Sequence, residues 1–194
     1  MQAIWNRSCS IIVVEYIVME DNFDLSKLRS KPKRKNSRAK GAAFENKVAK
    51  ILNERFDTKE FARTPGSGAF ATTHTLPKHL QIQGDLITPQ TFAYIIECKK
   101  GYNDLGIHSM LDFQSKLWEW IEHMERDAAA AEKAPILFMA QDRQPIISIL
   151  EYKEEIINYT DSYSTLTSKE GIEYIMLYMD DLLKIHNGFF FIQD

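Results

Sequence analysis

The sequence predicts an α/β domain, with α+β as the alternative, in which a central mixed β-sheet is flanked by helices. Three observations carry this. From Lys40 to Phe56 apolar residues recur at helical spacing. Phe92 to Lys99 is an aromatic and β-branched run behind the turn signal Thr88-Pro89-Gln90-Thr91. Ser109 to Glu132 is helical again and is followed by two short apolar runs. At 194 residues and 44% hydrophobic, the chain can bury one sizeable core, so a single domain with extensions is expected.

On a helical wheel Phe44, Val48, Ile51, Leu52 and Phe56 form one arc; Glu45 falls inside it beside Leu52, and Glu54 falls outside. An ionised carboxylate on a core-facing stripe is costly unless paired or metal-bound; the alternative is a rim residue that snorkels. Phe61 to Arg63 reads as a short strand running into Thr64-Pro65-Gly66-Ser67-Gly68. The two glycines allow close approach to a phosphate, and Arg63 and the Ser67 hydroxyl are donors for it, although Pro-Gly-Ser-Gly also makes ordinary turns.

The most informative stretch runs from Gly84-Asp85 to Glu97-Cys98-Lys99-Lys100. Strand alternation puts Ile95, Glu97 and Lys99 on one face and Tyr94, Ile96 and Cys98 on the other. Asp85 is expected on the preceding strand of a hairpin. A register pairing it near Ile95 brings its carboxylate towards Glu97, and a one-residue slip separates them. Two carboxylates held together repel unless a cation stands between them, and oxygen donors favour Mg²⁺ or Mn²⁺. Such an ion polarises a phosphate and acidifies a water, leaving Lys99 to hold or help deprotonate that water or to offset charge on the phosphorus. The competing reading is an ordinary surface pair of Glu97 and Lys99.

A helix with an inward Glu45, a strand ending in Arg63 before the Ser67 loop, then Asp85 and Glu97-Cys98-Lys99, resembles the PD-(D/E)xK nuclease superfamily. Within it the order is most similar to archaeal-type Holliday-junction resolvases, including phage and viral versions, over Arg38 to Leu150. The resemblance implies a restriction-endonuclease-like core and a Mg²⁺-dependent DNA endonuclease, with Mn²⁺ able to substitute. Glu45 corresponds to the helix acid facing the metal, Asp85 and Glu97 to the metal acids, Cys98 to a backbone-carbonyl ligand and Lys99 to the catalytic lysine. Ser67 corresponds to the serine of the mobile resolvase loop, with Arg63 the basic residue before it. Branched DNA as substrate and a homodimer are implied too. Gly84 stands where the superfamily's name has proline. The loop from Ala69 to Gln83, with His74, Lys78 and His79, is longer than a minimal resolvase needs, which leaves the substrate geometry open. The alternatives are a restriction-like, nicking or single-strand nuclease of phage or mobile-element origin, and a non-catalytic nucleic-acid-binding protein.

The net charge of −3 hides a strong polarity. Lys27 to Lys40 holds eight basic residues and no acid, leaving 16 basic against 27 acidic elsewhere. With Pro32 this segment reads as a flexible basic arm whose Lys33, Arg34, Lys35, Arg38 and Lys40 contact phosphates, extended by Lys100; a solvated linker or localisation-like tract is the alternative. The expected divisions are an N-terminal extension over 1–36, a nuclease core over 37–158 and a C-terminal extension over 159–194.

The core includes strands at Ala134–Ala140 and Pro145–Leu150 around the polar turn Gln141–Gln144. It also includes Gln114, on the long helix from Ser109 to Glu132, as either a water-mediated contact to the site or a surface amide. In the C-terminal extension Ile172, Ile175, Met176, Met179, Leu182 and Leu183 predict a helix from Ser168, its N-cap, to Ile185, and Gly188 to Ile192 a buried strand. These cover the sheet or build a dimer contact.

Two cysteines, Cys9 and Cys98, are too few for a disulfide framework, which points to a reducing compartment, the cytoplasm of a cell or of a phage host. Ile11 to Val18 is too short to span a membrane and carries Glu15, and no signal-peptide pattern is legible. This apolar N-terminus is open between an extra strand, a dimer contact and an upstream extension ahead of Met19. The histidines lack zinc-ligand spacing, and no phosphate-binding loop followed by Lys-Ser/Thr is present, so no nucleotide cofactor is expected.

Overall fold

In the computed structural model, which describes residues 37–65 and 84–192, helix α1 (Ser37–Phe56) buries Phe44, Val48 and Leu52 along the stripe its spacing predicts. Asp57 turns into a left-handed conformation (φ 49°) and the Thr58 N–H returns to the Asn53 carbonyl, which ends the helix. Strands β1 (Ala62–Arg63) and β2 (Leu86–Ile87) form a small antiparallel ladder. Strand β3 (Tyr94–Lys100) then opens the main sheet, and α2 (His108–Leu111) and α3 (Lys116–Ala131) cross over to β4 (Ala134–Ala140), which runs parallel to it. Strands β5 (Ile147–Glu151), β6 (Tyr163–Thr167) and β7 (Glu173–Tyr178) add antiparallel ladders, giving the order β3-β4-β5-β7-β6. Short helices α4 (Met179–Leu182) and α5 (Asn187–Phe190) follow. The result is a mixed sheet between helices, an α/β restriction-endonuclease-like fold.

Two cores lie on the two faces of the sheet. Ile96, Cys98, Ile136, Phe138 and Ile175 pack with Phe44, Val48 and Leu52 of α1, whereas Leu137, Met139, Ile149 and Tyr174 pack with Trp118, Ile121 and Met124 of α3. Coverage on both faces explains why β3 and β4 read as continuous apolar runs. The described C-terminus closes the first core. Phe189 and Phe190 pack on Tyr94 and Phe92, and Arg55 at the end of α1 donates to the Leu183 carbonyl, to the Ile185 carbonyl (2.9 Å) and to Asn187 Oδ1 (3.0 Å).

Three elements differ from expectation. The helix predicted from Ser109 to Glu132 breaks between α2 and α3. There the Asp112 carboxylate accepts from the Gln114 N–H and the Ser115 hydroxyl donates to the Ser109 carbonyl, so short polar side chains compete with the helix's own bonds. Gln114 is exposed in that break. The helix predicted from Ser168 to Ile185 is instead the β6–β7 hairpin followed by α4. Gly171 (φ 84°) makes its turn, and the Ser168 hydroxyl accepts from the Glu170 and Ile172 N–H groups rather than capping a helix. A short apolar run fits either period, and here β5 supplies a ladder partner at every residue from Tyr174 to Tyr178. Finally, Gly188 to Ile192 is helical through Phe190, with one antiparallel bridge, Phe191 to Phe92, in place of a strand.

Candidate active site

Strand β3 is the edge of the main sheet, and Asp85 is fastened to that edge. Its N–H donates to the Ile96 carbonyl (2.8 Å), its Oδ2 accepts from the Cys98 N–H (2.8 Å), and its carbonyl accepts from the Thr64 N–H (3.0 Å). Backbone groups of alternate residues point the same way along a strand, so the Cys98 carbonyl also faces out of this edge, beside Asp85. The predicted hairpin ladder between the Asp85 segment and β3 does not form. β2 pairs with β1, and Asp85 meets β3 at Ile96 rather than Ile95. The reason is occupancy: the chain just ahead of β3 is taken by the C-terminal residues, with the Ala93 N–H on the Phe190 carbonyl and the Ile192 N–H on the Thr91 carbonyl, both at 2.8 Å.

Gly84 sets this approach. Its φ is +80°, and a Cβ there would stand 2.7 Å from the Ile96 carbonyl oxygen. Proline, whose φ is held near −65°, has no place in this backbone, which accounts for the departure from the superfamily's name.

Alternation along β3 holds as predicted. Glu97 and Lys99 share a face and form an ion pair, with the Lys99 ammonium 5.9 Å from the Trp120 ring centre. Across the edge, Glu45 is 7% exposed and paired with Arg63, so it is a buried, compensated acid and not a rim residue. Lys99 fronts a cleft of about 480 Å³ whose walls include Ser37, Lys40, Glu45, Asp85 and Tyr102. Glu97 does not line the cleft itself and meets it through its partner Lys99.

Burial, and then the charge of Glu97, push the Asp85 carboxyl up to about 6, against the Cys98 N–H, Lys99 and Arg63, which favour its ionised form. Burial pulls Lys99 down, but Glu97, Asp85 and Tyr102 outweigh it and hold the amine above its usual range, firmly an ammonium. The Cys98 thiol is pushed well up by burial and by the charges of Asp85, Glu97 and Glu45, so three acids act on one point and the sulfur stays protonated. Among the described residues no group of three or more His, Cys, Asp or Glu side chains stands ready to hold an ion. The donor chemistry nevertheless fits a hard cation: burial and the charge of Glu97 raise the cost of ionising Asp85, and Mg²⁺ needs only one or two carboxylates while keeping several waters.

Two of the basic residues expected to meet phosphate have protein partners here. Lys40 binds Asp142 (3.0 Å), and Lys100 donates to the Gln141 carbonyl (2.7 Å) with its ammonium 3.8 Å from Asp142. Hydrogen bonds from Lys40 and Asn103, together with the charges of Lys40 and Lys100, hold the Asp142 carboxyl below the usual range. Arg38 is exposed in the first turn of α1. Lys33, Arg34, Lys35, Ser67, His74, Lys78, His79 and Cys9 lie outside the described residues. Two residues, Tyr102 on the cleft wall and Asp142 behind Lys40 and Lys100, escape sequence reasoning. Asp142 reads as part of a polar turn because its partner Lys40 is 102 residues away, and Tyr102 carries no signal beyond following Gly101.

A mixed sheet whose edge strand carries Glu-x-Lys, with an Asp clasped to that edge and a helix Glu across it, defines a nuclease of the PD-(D/E)xK superfamily. More particularly, the chain belongs to the family described as "Phage putative PDDEXK endonuclease", whose model matches residues 36–190. It is similar to Protein D14 of Escherichia phage T5, 29% identical over 147 residues that cover 73% of this chain and 88% of that protein. No solved structure matches it significantly. Among the described residues no helix is long and apolar enough to cross a membrane.

Proposed function

We propose that the protein is a Mg²⁺-dependent DNA endonuclease acting on branched DNA, with Asp85, Glu97 and Lys99 at its catalytic centre. The observation that carries this is geometric: Asp85 is held on the β3 edge by the Cys98 N–H (2.8 Å), the Glu97–Lys99 ion pair flanks Cys98, and Lys99 lines the same cleft as Asp85 and Glu45. Asp85, Glu97 and the Cys98 carbonyl would hold the ion, with Glu45 facing it. When bound, Mg²⁺, or Mn²⁺ in its place, supplies Lewis acidity at the phosphate and lowers the pKa of the attacking water. Lys99 offsets negative charge as it builds on the phosphate oxygens. Glu45 orients Arg63, and Arg63 donates to a non-bridging oxygen; the hydroxyl of Ser67, which lies outside the described residues, is a further donor that the likeness to resolvases suggests for that phosphate. The first turn of α1 has no acid and carries Arg38 and Lys40, an arrangement that attracts a neighbouring backbone phosphate. Lys100, on the cleft wall, is a further phosphate contact, and the basic composition around Lys33, Arg34 and Lys35, outside the described residues, suits phosphate binding as well. The branched substrate and a homodimer that cuts two strands rest on the likeness to junction resolvases.

The test is a side-by-side assay of four-way junctions, flaps, linear duplex and single strands with Mg²⁺ or Mn²⁺. Asp85→Ala and Glu97→Ala should each lower cleavage at least ~100-fold while binding in a mobility-shift assay stays near wild type. Undiminished cutting by either variant sinks the site. Equal cutting of junction and duplex replaces the resolvase reading with a restriction-like or nicking one. No cleavage of any nucleic acid by the wild type leaves a binding protein.

A further inference from the structure

The wall of the cleft opposite α1 carries an aromatic ring that none of the proposed steps uses. Tyr102 follows directly on Lys99-Lys100-Gly101, and both Gly101 (φ 98°) and Tyr102 (φ 54°) adopt left-handed backbone. For a residue as bulky as tyrosine that conformation is rare. It is held by the surroundings: the Gly101 N–H donates to the Ala140 carbonyl (3.0 Å), and the Tyr102 carbonyl accepts from the Leu105 N–H (3.0 Å) and from Gln141 Nε2 (3.2 Å). The ring meets the buried Trp120 edge-on, with centroids 4.5 Å apart. Tyr102 is nonetheless 45% exposed, on a residue that lines the same cleft as Asp85 and Lys99. Covering Trp120 needs an apolar side chain and no more. A rigid, half-exposed aromatic ring on a cleft that Lys99 and Lys100 also line offers in addition what a nucleotide needs when its base has left the stack: a surface for the base and cations near its phosphates. In intact duplex both faces of each base are already covered by neighbours, so this ring has no base to engage there.

Resting on the nuclease reading above, we infer that Tyr102 is a specificity-determining residue, a stacking platform for an unpaired or unstacked nucleotide next to the phosphate held at Asp85 and Lys99. The substrate class is DNA with a single-stranded or splayed nucleotide at the cut site, in preference to continuous duplex.

The experiment compares the full chain with Tyr102→Leu, which keeps an apolar cover on Trp120 without a π face, and Tyr102→Phe, which keeps the face without the hydroxyl. Thermal midpoints check that both fold. Oligonucleotides carry 2-aminopurine in a single-stranded or a fully paired context. Wild type should quench the unpaired probe on binding, Tyr102→Leu should lose that quench, and Tyr102→Phe should restore it. With Mg²⁺, kcat/KM on the unpaired substrate should fall about 10-fold more than on duplex in Tyr102→Leu, the scale of one base–aromatic stack. An equal fall on both substrates, no fall, or a Tyr102→Phe defect as large as that of Tyr102→Leu overturns the proposal, the last by assigning the role to the phenol. If the wild type cuts nothing, the nuclease reading has failed, and the quench measurement still decides the stacking on its own.

Discussion

The five-stranded sheet has two edges, and they are built on opposite principles. At the β6 edge, Tyr163, Ser164, Thr165 and Thr167 are exposed and only Leu166 is buried. Hydroxyl-bearing side chains and solvent suffice there, as for an ordinary solvated edge strand. At the β3 edge the strand is buried from Tyr94 to Cys98, its backbone is partly taken up by Asp85, and three acids crowd round Cys98. One edge is tolerant because little depends on it. The other is over-determined: Gly84, Asp85, Thr64 and the C-terminal residues all fix the same stretch, and the acid so fixed is held against its electrostatic preference. Such a combination of tight positioning and unfavourable charge is expected where a ligand, and not the fold, supplies the compensation.

The sharpest way to break the contrast is at Gly84. Gly84→Ala sets a Cβ 2.7 Å from the Ile96 carbonyl in a left-handed backbone, so it should cost about 2–4 kcal/mol in chemical denaturation and lower cleavage as Asp85 moves off β3. A loss below about 0.5 kcal/mol would mean the edge is not fixed by this approach.

Asp85→Asn tests the charge. The carboxyl binds its proton more tightly in the folded protein, near 6 against an ordinary value of 3.8, so metal-free stability should fall as pH rises between those values and stay lower above them. The amide keeps an oxygen for the Cys98 N–H and removes the charge. Metal-free Asp85→Asn should therefore be more stable than wild type at pH 8, by roughly 1–3 kcal/mol, with the advantage gone near pH 3. Denaturant melts across that range read it directly, and a less stable variant at pH 8 would contradict it.

Arg55→Ala removes three donors that tie the C-terminal residues to α1, and with them the cover ahead of β3. It should cost about 1–3 kcal/mol, and hydrogen exchange should quicken first at Ala93 and Ile192. The smallest effect belongs to the other edge: Thr165→Lys should stay within about 0.5 kcal/mol of wild type and cleave normally. A clear loss of activity there would show that the β6 edge is not idle.

How much of this is legible in the sequence depends on the range of the interaction. Glu45 on the core stripe, the shared face of Glu97 and Lys99, the buried Cys98 and the β4–β5 pair all follow from periods of 3.6 and 2.0 within one element, and they recur in the structure. The errors fall where short apolar runs fit two periods, as from Ser168 to Ile185, or where polar side chains break a helix from within, as at Asp112 and Ser115. That Lys40 and Lys100 share Asp142 as a partner is not legible in the sequence, because nothing local reveals Asp142.

By itself, then, the sequence determined the family, the inward face of α1 and the alternation along β3, because these are set by residue type and by neighbours within one turn or one pleat. Tertiary structure alone decided that Asp85 meets β3 at Ile96, that β2 pairs with β1, that Glu45 is compensated by Arg63 and that Tyr102 stands over Trp120. Each of these joins segments distant in the chain. Which partner an edge, an acid or a ring receives is settled by competition among all the groups that reach it, and a local pattern carries no record of that competition.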